Sequence, residues 1–145
     1  MLRRWRPGAG LPETFSGRER NRGFEAITVS PSGVVYALLE AAMWQDSHVV
    51  RMVELDPRTN RTRMLAVPLH DEHAAHVKIG DMDMVNDTHI LVIQQRVSGP
   101  DRKYNALHML DISEASDLSE LDASQEAFSA QVSSSNDLVD VDDKE

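Results

Sequence analysis

The sequence predicts an all-β chain: two antiparallel β units in tandem, with a flexible N-terminal arm before them and an acidic C-terminal tail after them. Three observations carry this. The stretch Asn21 to Glu40 has the pattern of a hairpin, parts of it recur 55 residues later, and core-forming composition stops near Ser113.

In the first of these, Ile27 and Val29 alternate with Ala26, Thr28 and Ser30. Ser30-Pro31-Ser32-Gly33 then supplies turn chemistry: proline presets φ at the second turn position, and glycine accepts the positive φ that ends the turn. Val34 to Leu39 follows as a β-branched and aromatic run suited to a mostly buried strand. Glu25 and Glu40 bracket the hairpin, and Arg22 stands just before it.

The recurrence spans the next strands. Tyr36-Ala37-Leu38-Leu39-Glu40 aligns with Leu91-Val92-Ile93-Gln94-Gln95, and Leu55-Asp56 with Leu110-Asp111, both at a spacing of 55. Gly23-Phe24-Glu25 pairs with Ile79-Gly80-Asp81, at a spacing of 56 for the acid. A period near ~50 with about four short strands per unit marks a β-propeller blade. The reading is therefore a partial β-propeller over 21–113, with blade one at 23–69 and blade two at 77–112.

Charge is divided unevenly. Of the net −9, all is carried from Ser113 onward by ten acids and one lysine, while the first 112 residues balance 14 acids with 14 bases. A neutral body offers no electrostatic case for nucleic acid or an anionic membrane. No apolar run approaches the roughly 20 residues of a membrane helix. With no cysteine, disulfides and thiol catalysis are excluded.

In chain order, 1–20 is an irregular basic arm whose Met-Leu-Arg-Arg-Trp-Arg start lacks the apolar segment of a signal peptide, and the compartment stays open. Arg18, Arg20 and Arg22 are its candidates for an anion. In blade one, Val49 to Asp56 is the third strand, Asp56-Pro57-Arg58-Thr59-Asn60 a turn, and Thr62 to Leu69 the outer strand. Trp44 sits in a loop and is read as packing over a neighbouring unit. The linker His70-Asp71-Glu72-His73-Ala74-Ala75-His76 has histidines spaced by three, but nothing fixes their geometry, so a solvated connection is favoured over a metal site. In blade two, Asp81-Met82-Asp83-Met84 puts both carboxylates on one face. Asn86-Asp87 turns the chain into Ile90 to Ile93, and Asn105 to Ile112 is the last strand. The acidic, serine-rich segment 114–145 is read as disordered or partly helical.

Along Asn21-Arg22-Gly23-Phe24-Glu25-Ala26-Ile27-Thr28-Val29-Ser30-Pro31-Ser32-Gly33, the chain resembles the phytase-like esterase family, β-propeller domains described by the esterase-like activity of phytase. The likeness continues through Leu11-Pro12, Tyr36 to Glu40, Leu55-Asp56, Ile79-Gly80-Asp81 and Lys103 to Ser113. It implies hydrolysis of ester bonds, phosphate esters included, in a family commonly exported. The family's domains are long enough for a closed ring, so two blades are expected to be a piece of one. Where the family shows a Glu-Arg pair, this chain has Gln94-Gln95-Arg96.

The innermost strands of blades face a shared axis, so Glu25 and Asp81 are the candidate catalytic residues. Together with Glu40 and Asp83 they form a candidate calcium set, since calcium takes six to eight oxygens and activates water. Without metal, one carboxylate of raised pKa can serve as general base. Arg22, Arg96 and Lys103 are candidates to bind the small-molecule ester or phosphate ester and stabilise developing charge. Gly-x-Ser-x-Gly is absent, and the turn accounts for Ser30 and Ser32. The alternative is a non-catalytic propeller remnant or binding module. Two blades cannot close a ring, so uncovered faces and open edges favour self-association.

Overall fold

The computed structural model describes residues 3–18, 20–43, 48–69, 77–96 and 104–120, with Tyr104 described by its backbone alone. Trp44, the histidine linker, Lys103 with its loop, and the tail beyond Glu120 lie outside the described residues.

The elements are β1 (Arg6–Pro7), β2 (Gly10–Leu11), a 3-10 helix (Glu13–Gly17), β3 (Phe24–Val29), β4 (Val35–Leu39), β5 (Val49–Asp56), β6 (Arg61–Pro68), β7 (Val77–Met84), β8 (His89–Arg96) and β9 (Tyr104–Asp111). Strands β3-β4-β5-β6 form one antiparallel sheet and β7-β8-β9 a second, each in chain order. The Pro31 turn closes as its residues dictate: Gly33 has φ +87°, its amide donates to the Ser30 carbonyl, and the Ser30 amide donates to the Val34 carbonyl. At the β5–β6 turn, Asn60 takes the left-handed φ of 57° that asparagine tolerates, and Asp56 accepts from the Arg58 amide.

The two sheets are copies in backbone register. Phe24 faces Leu39 and Ala26 faces Leu38 in the first, and Ile79 faces Gln94 and Asp81 faces Ile93 in the second, each pair offset by 55. The agreement extends to the next strand, where Ala37↔Val53 corresponds to Val92↔His108. It includes the irregularity: the register shifts once between Phe24 and Ala26, and once between Ile79 and Asp81. Glu25 and Gly80 are therefore equivalent bulged residues.

The same register shows how the sheets pack. On one face of the first sheet, Ala26, Leu38, Met52 and Leu65 lie in a row, all buried. In the second sheet the equivalents Asp81 and Ile93 are exposed and Leu107 is half-exposed. There the opposite row, Met82, Val92 and His108, is buried. The front of the first sheet thus covers the back of the second, and both contribute to one hydrophobic cluster. Burying a side chain of this size contributes about 1.5–3 kcal/mol.

At both chain ends the structure differs from a flexible arm and a tail loose from 114 onward. Phe15 is fully buried with its ring 5.2 Å from that of Phe24, and Arg51 donates to the Thr14 hydroxyl across 2.6 Å. These contacts pin the arm over the back of the first sheet. After β9 the chain returns to the outer edge of that sheet. The Leu118 amide donates to the Met64 carbonyl at 2.8 Å, the Met64 amide to Asp117 at 3.0 Å, and Arg63 to the Ala115 carbonyl at 3.1 Å. Leu118 is buried beside β6, so polar groups on an edge strand find partners.

Burial raises the Asp117 carboxyl's pKa, but the hydrogen bonds from Ser119 and the Met64 amide outweigh it and hold the group below its ordinary value. A carboxyl held low in the folded state stabilises the fold above its unfolded pKa of about 3.9, and that stability is lost as pH falls through the folded value. Asp117→Asn therefore lowers the thermal midpoint at neutral pH, and the gap from the parent protein narrows as pH falls below the unfolded pKa of about 3.9. Melting curves across pH check this.

Candidate functional site

The innermost strands, β3 and β7, lie against each other, and their contacts join repeat-equivalent positions. The Thr28 hydroxyl donates to Asp83 at 3.1 Å, and the Met84 amide donates to that hydroxyl at 3.2 Å. One turn further, the Ser32 amide donates to Asp87 at 2.9 Å. Hydrogen bonds from Ser32 hold the Asp87 carboxyl below the usual carboxylate range. The turn asparagine Asn86 accepts from the Thr88 and His89 amides, which shapes the loop that presents Asp87.

At the other end of these strands the chains meet around Glu40. Its amide donates to the Gly23 carbonyl, and its carbonyl accepts from the Ile79 amide at 2.7 Å. Its carboxylate pairs with Lys78 at 2.5 Å and with Arg22 at 3.4 Å. The Glu40 side chain is only 14% exposed, so this anion between two cations ties the sheets together where β3 and β7 begin.

Glu25 stands exposed at the bulge of β3, and none of the described residues bonds its carboxylate. Asp81 is exposed just past the bulge of β7 and accepts from the Met82 amide at 2.8 Å. Pairing Glu25 with Asp81 as equivalents is corrected by the register: Gly80 holds the place of Glu25, and Asp81 that of Ala26. At Gly80 an added Cβ would lie 3.0 Å from the end of the Gln95 side chain, which would have to shift by a few tenths of an ångström to admit one.

The calcium set does not assemble. Among the described residues, no three histidine, cysteine, aspartate or glutamate side chains converge as metal ligands. Glu40 is engaged by its two cations, and Asp83 by Thr28 and the Met84 amide. Arg22 belongs to the Glu40 cluster, Arg96 is half-buried at the end of β8, and Lys103 lies outside the described residues. Lys78 was not singled out from the sequence; its signal was its place at the start of β7, opposite the exit of β4. Thr28 was missed too, though it stands 55 residues before Asp83.

A second polar cluster closes the front of the first sheet. Arg63 grips Glu54 through two hydrogen bonds, of 2.9 and 2.5 Å. Burial and the neighbouring Glu54 carboxylate push the Tyr36 hydroxyl up to about 12, which keeps it protonated at any physiological pH. This cluster braces the fold.

Replacing Glu40 by Gln removes the negative charge that Lys78 and Arg22 share. Glu40→Gln should cost about 1–3 kcal/mol of stability, and adding Lys78→Met to that variant should recover part of the loss. Chemical denaturation of the three proteins measures both effects.

Among the described residues, no helix is long and apolar enough to cross a membrane. No curated protein matches the chain, and no solved structure does. One family model matches across residues 3–145, that of the phytase-like proteins, described by the esterase-like activity of phytase. With nearly its whole length matched, the chain belongs to the phytase-like family.

Proposed function

We propose that this chain hydrolyses ester bonds, phosphate esters among them, by carboxylate-assisted attack of water within a β-propeller architecture. Glu25 is the general base. It takes a proton from water as the water oxygen bonds to the acyl carbon or phosphorus; the ester bond then breaks and the departing alkoxide takes up a proton. Asp81, held by the Met82 amide, supplies the second carboxylate at the same end of the inner strands. Arg22 and Arg96, with Lys103 a further candidate from the sequence, are the cations proposed to bind an anionic ester and steady the charge that develops on it.

The observation that carries this reading is the exposed Glu25 at a bulge of the innermost strand, in a chain of the phytase-like family. Bulges re-aim side chains and recur beside active sites. The propeller reading is supported by the register-faithful repeat and by the stacking of the sheets front to back. Calcium remains part of what the family resemblance implies, and the described carboxylates form no set of three to hold it.

Turnover of a nitrophenyl ester and a nitrophenyl phosphate tests the proposal. Glu25→Gln should lower kcat at least about 100-fold, the scale of a lost general base, with the fold unchanged by circular dichroism. Turnover equal to the parent protein's would overturn the assignment of Glu25.

A further inference from the structure

Neutral as a whole, the body is uneven in charge, and the fold gathers arginines from two distant stretches of chain. The Arg3 guanidinium donates to the Asn60 side-chain oxygen at 2.9 Å. That contact lays the start of the arm against the β5–β6 turn. Arg3, Arg4 and Arg6 thereby stand beside Arg58 and Arg61, and all five are exposed. The backbone beneath them is fastened: β1 pairs with β2, and the Trp5 ring lies on Gly10, where an added Cβ would meet it at 2.8 Å. Two acids temper the patch, Asp56 through its pair with Arg58 at 3.1 Å, and Glu13 beside Gly8. Among the described residues, none bonds the side chains of Arg4, Arg6 or Arg61. Like charges held this close repel one another unless an anion joins them.

We infer that the acidic segment 121–145 of the same chain docks on this arginine patch. Its seven acids against one lysine give it a net charge of −6, the complement of the patch. The segment starts close by. The Leu118 amide donates to the Met64 carbonyl, three residues along β6 from Arg61 and about 10 Å from it at strand spacing. Tethering then favours this segment over a free anion. A short tether holds it at an effective concentration on the order of millimolar, so several weak, salt-screened ion pairs suffice. The same segment of another copy has no such advantage. The inference stands apart from the ester chemistry, since it uses no residue assigned to the reaction.

A nitroxide on the segment of the full-length protein, read by nuclear magnetic resonance, tests this. The chain has no cysteine, so Ser134→Cys gives a single labelling position. At low salt the amide signals of Arg58 to Arg61 should lose most of their intensity. They should recover at about 1 M salt, where charges are screened within about 3 Å. Replacing both Arg58→Gln and Arg61→Gln should restore much of the signal at low salt. Full signal at low salt, loss that survives high salt, or loss centred instead on Arg18, Arg20 and Arg22 overturns the proposal. Equal loss in the double variant overturns it too. So does equal loss in a mixture where the nitroxide and the isotope label sit on different copies, which would mean contact between chains.

Discussion

The packing of one sheet's front on the other's back is the constraint from which the rest follows. It sets which rows of side chains are apolar on both strands of a pair. It also puts β3 beside β7, so that Thr28 meets Asp83 and Ser32 meets Asp87, each pair separated by one repeat. Because the contacting positions are equivalent, one geometric relation between the units satisfies all of them at once. Hydrogen bonds at the Asp87 turn and the ion pairs of Glu40 fix the two ends of the inner strands. The site is held between two clamped ends, on paired backbone.

Much of this architecture could be read from the chain itself. Alternation at Ile27 and Val29, the Pro31-Ser32-Gly33 turn and the Leu-Asp strand ends are local signals, and strand and turns form where the residues place them. The facing of β3 is inverted, however: Ile27 and Val29 are exposed, and Ala26, Thr28 and Ser30 are buried. The repeat was legible because apolar strands with the same register must reuse the same spacing. What misled was the acid. Matching side-chain types aligned Glu25 with Asp81, whereas the backbone counts from the bulge and puts Gly80 there. An isolated glycine such as Gly80 inside a strand hints at a bulge. Glu25 carries no such sign, and only the pairing of the two strands exposes the bulge there.

The ends of the chain were illegible for a different reason. Phe15 anchors the arm and Leu118 the segment after β9, each a lone apolar residue in polar surroundings, without the recurrence that marks a buried face. Glu40 was visible as a charged residue at a strand end, but its role depends on Lys78, brought to it by tertiary packing from the next repeat. In sequence a carboxylate of this kind looks the same whether it binds a ligand or neutralises two cations. In the fold the second use is satisfied for Glu40, whereas Glu25, among the four candidate acids, is exposed with no described side-chain or amide partner.

The central claim is that the inner strands of the two repeats lie side by side, in contact at equivalent positions. A double-mutant cycle on Thr28→Val and Asp83→Asn, read as unfolding free energies in denaturant, tests it most directly. Contact between the side chains predicts a coupling of about 0.5 kcal/mol or more. Additive effects, with no coupling beyond experimental error, would contradict the arrangement of the two sheets.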